Sequence, residues 1–299
     1  MRTSIDFTVT RDFYRARRSI APAGGYDDRV NRNCLIGLLL TACSSTIASS
    51  TGGGGAEDPR CGAAAPSTVA EAQVRARSCS VGADARLFLR SAPYRRVVVE
   101  IVQMDGLVLR HSAIDHLVSV FGDVTDKPGG VRVLVGPSTP AVGHPLSLED
   151  IRAIEDRVRT QFADGDTNVF FFLVVSDPSA DDTAQGKVLG LAHRASSMVV
   201  FQSTIDSISG GLGQPSSDVV QKTVIAHELG HVLGLVNLGA PMTQAHEDPS
   251  HLGHDSNTAC LMYWANNSSA VVANLLQGGV IADFDAACRA DLATIRNGL

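Results

Sequence analysis

The chain has 299 residues, 44% of them hydrophobic and 19% charged, with a formal net charge of -6. That length suits one large domain or two small ones, and the composition can build a core, which excludes a largely disordered chain. The acidic balance argues against a nucleic-acid binder, since no Lys/Arg cluster lies beyond the N-terminus. No apolar run approaches the length of a membrane-spanning helix.

At the N-terminus, Arg29 and Arg32 precede a short apolar run, Cys34 to Leu40, and small residues follow. A basic region, a short apolar region and small residues make a secretory signal. The segment Leu40-Thr41-Ala42-Cys43 resembles a bacterial lipobox, which implies a lipidated Cys43 as the mature N-terminus. The competing reading is a buried strand or helix near residues 34–42. Ser44 to Gly55 has the composition of a tether. The expected organisation is a signal peptide at 1–42, a lipidated linker at 43–60 and one globular domain at 61–299. That domain divides into an N-terminal subdomain to about 234 and a C-terminal subdomain at 235–299. The implied location is outside the cytoplasm, in a bacterial envelope, with membrane contact through the lipid alone.

With Cys34 removed and Cys43 acylated, Cys61, Cys79, Cys260 and Cys288 remain. An even count in an exported protein favours two disulfides. Cys61–Cys79 and Cys260–Cys288 is the natural pairing, although the sequence allows three.

Val97–Met104 is β-branched and apolar and reads as a strand, and Ser112–Phe121 has helical spacing. Val131–Val135 reads as a short strand. Ser147 caps a helix running to about Phe162, with Leu148, Ile151, Ile154 and Val158 on one face. Val169–Val175 is nearly continuous in apolar residues, as a central buried strand is. Lys187–Leu191 and Met198–Gln202 read as two further strands. Ser216 or Ser217 caps the helix that follows, and shorter helices are expected at Ser268–Leu276 and Ile281–Asn297. The alternation gives an α+β class whose N-terminal part is α/β-like.

The most specific signal is Ile225-Ala226-His227-Glu228-Leu229-Gly230-His231-Val232-Leu233-Gly234-Leu235. Positions i and i+4 share a helix face, so His227 and His231 can point nitrogens at one ion. Glu228 is turned about 100° from His227, so it can reach a water beside the ion. Zinc brings the pKa of such a water towards about 7, within reach of a carboxylate base. The flanking residues are apolar, as a helix buried under a cleft requires. The bland alternative is an amphipathic helix that happens to carry two histidines. A catalytic zinc needs a third protein ligand. Five of the nine histidines lie between 227 and 254, which marks the region to search.

HELGHVLGLVN resembles the metzincin motif HExxHxxGxxH, with Gly234 at its glycine. The motif's third ligand position is Asn237 here, and asparagine is a poor zinc ligand. His254-Asp255-Ser256-Asn257-Thr258-Ala259-Cys260-Leu261-Met262 resembles the archaemetzincin pattern H-C-x4-C-x-M. That resemblance implies His254 as third ligand after an inserted segment, and Met262 as the support of a Met-turn. His246, His251, Asn237 and a carboxylate are the other choices. Archaemetzincins also carry a later F-C-x-x-C, whose cysteines join the first pair around a structural zinc. Phe284-Asp285-Ala286-Ala287-Cys288 resembles it, with Asp255 and Asp285 at two of the four cysteine positions. A second zinc on two Asp and two Cys is one reading; a Cys260–Cys288 disulfide is the simpler one.

The resemblance implies a twisted mixed sheet packed on the zinc helix and a small, mostly helical C-terminal subdomain. It also implies an edge strand that pairs with extended peptides, for which Lys187–His193 is the candidate. Tyr263 could donate to an oxyanion, although packing is the commoner role of such a residue. The expected activity is hydrolysis of a peptide or protein substrate with one catalytic Zn2+. The alternatives are a gluzincin-type peptidase with Asp283 or Asp285 as ligand, and a surface binding lipoprotein that holds zinc without hydrolysis.

Overall fold

A computed structural model describes residues 60–62, 64–267 and 281–298. The signal segment, Cys43, the tether to residue 59 and the helix expected at Ser268–Leu276 lie outside the described residues.

Five strands form one sheet in the order β2-β1-β3-β5-β4. They are β1 (Arg96–Gln103), β2 (Val131–Val135), β3 (Thr167–Val175), β4 (Gly190–Arg194) and β5 (Ser197–Phe201). β1 pairs in parallel with β2 and β3, β3 pairs in parallel with β5, and β4 runs antiparallel along β5 as an edge. β3 is buried from Asn168 to Val175, which explains its unbroken apolar run. The parallel pairs need crossovers, and helices supply them. α3 (His111–Val124) connects β1 to β2, and α4 (Leu148–Val158) connects β2 to β3. The other helices are α1 (Val69–Ser78), α2 (Ala85–Leu89), α5 (Gln202–Ser207), α6 (Ser217–Val232) and α7 (Ala286–Arg296).

The two faces of the sheet bury separate cores. On one face α2, α3, α6 and α7 cover Val97, Val99, Phe170 and Phe172. On the other, Ile151 and Ile154 of α4 meet Phe171, Leu173 and Phe201. Phe88, Phe121 and Phe170 meet with centroids 5.4–6.2 Å apart, two of the pairs edge-on. Each such pair adds about 0.5–1.5 kcal/mol beyond burial.

α4 ends at Val158, short of the expected Phe162. The chain turns out at Arg159 because the Thr160 and Gln161 amides donate to the buried Glu100 carboxylate at 2.9 and 3.0 Å. Ser147 and Asp150 form a reciprocal capping box at its start. α7 begins at Ala286, not Ile281: Asp285 caps it by accepting from the Cys288 amide at 2.9 Å. The expectation of a mostly helical C-terminal part is not met among the described residues. After position 235 only Trp264–Asn267, a 3-10 turn, and α7 are helical there. The loop between is rich in Pro, Gly, Asn and Asp, which favour turns.

Candidate metal centre

Ser216 caps α6, accepting from the Val219 amide, and the helix is buried almost throughout from Val220 onward. It ends in a Schellman motif at Gly234: Leu235 N–H donates to Gly230 O at 3.1 Å and Gly234 N–H to His231 O at 2.9 Å. Gly234 has φ of 81°, and a Cβ there would lie 2.7 Å from Ala240 N. Val236 and Asn237 also take positive φ, 52° and 65°. A β-branched residue is strained in that region.

This reversal settles where the chain goes after the helix. Asn237 turns to Glu247, donating to its carboxylate at 3.2 Å, and takes no part in the histidine cluster. The chain then returns, and His254 joins His227 and His231: one ligand atom from each lies within 4.8 Å of the others. The Nε2 atoms of His227 and His231 are 3.0 Å apart. His227 Nδ1 meets Leu261 O at 2.8 Å. A carbonyl only accepts, so Nδ1 carries the proton and Nε2 keeps its lone pair. Both ring nitrogens of His254, and Nδ1 of His231, are buried with no hydrogen-bond partner. Buried polar atoms left without partners are costly, and a cation in the cluster would satisfy one of the two His254 nitrogens. The donor set of three imidazoles suits zinc.

Burial keeps these imidazoles neutral. It lowers His227 to about 3, helped by neighbouring His254 and opposed by the Leu261 carbonyl. Burial also lowers His254 to about 4. His231 is pushed well below its ordinary value by burial, then by His227 and His254. Neutral imidazoles are the metal-binding form.

Glu228 is fully buried. Its Oε2 accepts the Ala192 N–H of β4 at 2.6 Å, and its Oε1 has no partner. Burial raises its carboxyl to about 8, against the Ala192 bond, which lowers it. Position 190 allows this approach of β4 to α6. A Cβ on Gly190 would stand 2.6 Å from Val224 Cγ1 and 2.9 Å from Glu228 Cγ. Met262 is buried below the helix, and a Cβ on Gly230 would meet its Sδ at 2.3 Å. The turn that carries Met262 also supplies the Leu261 carbonyl held by His227.

The remaining candidates have other partners. His246 bridges two buried carboxylates, Asp255 at 2.7 Å and Asp291 at 2.8 Å. His251 contacts Asp248 at 2.8 Å and stacks on Trp264 with centroids 4.4 Å apart. The Asp283 side chain is exposed and paired with Arg289. Tyr263 lies with its ring 5.7 Å from that of Trp264. Cys61 and Cys79 form a disulfide. Cys260 and Cys288, expected as a second, are free thiols with sulfurs 3.6 Å apart. They share a second cluster with Asp255 and Asp285, again with ligand atoms within 4.8 Å of one another. The Ala192–Glu228 bond and the His246 bridge had no local sequence signal, because each joins segments far apart in the chain.

No family model and no curated protein matches the chain. Among solved structures, the chain is similar to a crystal structure of archaemetzincin from Methanopyrus kandleri, with a TM-score of 0.42 and 17% sequence identity. The match covers 68% of this chain and 97% of that one.

Proposed function

We propose that the chain is a zinc-dependent peptidase, most simply an endopeptidase, that works outside the cytoplasm. The observation that carries this reading is the meeting of three neutral, buried imidazoles beside a buried carboxylate on the same helix as two of them. His227, His231 and His254 would hold the ion. When bound, zinc supplies a Lewis acid and a water of lowered pKa. Glu228 takes the proton of the attacking water and delivers it to the leaving amine. A dication nearby is the opposite charge that brings a raised carboxyl back to its basic form. β4 is the edge strand of the sheet, the element along which an extended peptide would add by main-chain pairing, with little demand on sequence.

The gluzincin alternative loses support, because Asp283 and Asp285 both lie outside the histidine cluster. A zinc-holding binding lipoprotein has no use for Glu228 at this position. The test is metal analysis with cleavage of a mixed peptide library. Wild type should bind zinc and cut peptides, and Glu228→Ala should keep the metal and lose cleavage. Zinc retention without any cleavage by wild type would favour the binding lipoprotein. The export reading rests on the Leu40-Thr41-Ala42-Cys43 sequence. Cys43→Ser should release the protein from detergent-phase partitioning; wild type in the aqueous phase would overturn the anchor.

A further inference from the structure

On the face of the sheet away from the His227, His231 and His254 cluster, Glu155 of α4 is buried, 1% exposed. Its Oε1 accepts from Ser197 Oγ at 2.6 Å and Arg159 Nη1 at 2.8 Å. Its Oε2 meets His193 Nε2 at 2.9 Å and accepts from Arg194 Nη1 at 2.8 Å. A carboxylate offers about four acceptor sites, so the group is saturated. Burial favours the neutral acid, but the His193 bond and the charges of His193, Arg159 and Arg194 hold it ionised, well below the usual carboxylate range.

Two of those donors are consecutive residues of the edge strand. Neighbours on a regular strand point to opposite faces. His193 and Arg194 reach one carboxylate because β4 is irregular there. Ala192 is opposite Met198 and Arg194 is opposite Ser197, which leaves His193 as the extra residue of a bulge. Arg152 closes the same spot by donating to His193 O at 3.0 Å. The residue immediately before the bulge is Ala192, whose N–H holds Glu228.

We infer that Glu155 is a positioning residue: by gripping His193 and Arg194 it fixes the bulge of β4, and so fixes the Ala192 N–H that orients the Glu228 carboxylate on the opposite face of the sheet. The link to catalysis rests on the peptidase reading; the mechanical link from Glu155 to Ala192 does not.

His193→Leu tests it without stranding the buried carboxylate, since Ser197, Arg159 and Arg194 still bind Glu155. Hydrogen exchange at the Ala192 amide should speed up tenfold or more, with the Leu229 amide in α6 and the zinc content unchanged. For peptide cleavage, kcat should fall about tenfold with KM within twofold. His193→Gln, which keeps a donor towards Glu155, should recover most of both losses, and Glu155→Gln should reproduce the leucine variant. Unchanged Ala192 exchange in both His193→Leu and Glu155→Gln would overturn the inference. A rise in KM at constant kcat would overturn it too, since the bulge would then serve only the pairing of β4 with substrate and not the base. If wild type cuts no peptide, the peptidase reading fails, and the exchange measurement still decides the mechanical link.

Discussion

Cys260 Sγ and Cys288 Sγ face one another at 3.6 Å. A disulfide bond is about 2.05 Å long. Two thiolates on one tetrahedral zinc, each at about 2.3 Å, lie about 3.75 Å apart. Cys288 Sγ and Asp255 Oδ2 are 3.5 Å apart, which suits the mixed sulfur–oxygen edge of such a site. Protein purified with its thiols reduced should therefore carry two zinc ions per chain, and Cys288→Ala should carry one. A single ion together with a mass two hydrogens lighter would restore the disulfide.

The third ligand is testable by substitution. His254→Ala should lose the ion of the histidine cluster, with affinity down at least a hundredfold. His251→Ala and Asn237→Ala should keep it, because His251 is engaged with Asp248 and Trp264, and Asn237 with Glu247. Isothermal titration of zinc into the apoprotein measures this. Retention by His254→Ala with loss in His251→Ala would overturn the assignment.

Much of this site was readable in advance because its rules are local. Helix spacing put His227 and His231 on one face, and Ser216 capped the helix as a serine before an apolar run does. Val131–Val135 matched its β-branched run residue for residue. His254 follows from no local rule: only the resemblance of His254, Cys260 and Met262 to the archaemetzincin pattern singles it out from His246 and His251. What stayed hidden depends on contacts between distant segments. The bulge at His193 has no local marker, and the exit of α4 at Arg159 is set by Glu100, far away in the chain. The irregular run before α7 follows from the Leu261 amide donating to Asp283 O at 2.9 Å, a contact no periodicity reveals.

The metal-free protein should show a stability maximum near pH 6.5 from its site residues. His227, His231 and His254 have lowered values in the fold, so the unfolded chain binds more protons between about pH 4 and 6.5. Stability therefore rises with pH across that window, by about 1.4 kcal/mol per unit for each proton. Glu228 is raised from 4.5 to about 8, so there the folded chain binds the extra proton. Its contribution declines with pH between about 4.5 and 8, is outweighed by the histidines at first, and dominates above 6.5. Urea unfolding of the apoprotein from pH 4 to 8 should show both limbs. Glu228→Gln should flatten the upper one; an unchanged decline would place its origin elsewhere.

Gly190→Ala probes the contact between β4 and α6. The added methyl meets Val224 and Glu228 at 2.6 and 2.9 Å, well inside van der Waals contact. Overpacking of this kind costs about 1–3 kcal/mol. The variant should fold with a lower Tm, keep its zinc and lose most of its cleavage, because the strand must lift from Glu228. Full activity at wild-type Tm would mean that β4 yields freely.

The reversal at Gly234 and the left-handed Val236 and Asn237 separate the helix from the loop that delivers its partner histidine. That loop is anchored on its own account, by His246 between Asp255 and Asp291 and by Glu247 on the Gly253 amide. The segment before it is pinned as well, by the Ala240 amide on Gly234 O and by Thr243 on Asp291, so length can vary only at the exposed Gln244 and Ala245. Insertions there would change the outer outline of the molecule and leave the distance from His231 to His254 alone. A search that demands a third histidine at a fixed step after the helix passes over any chain built this way.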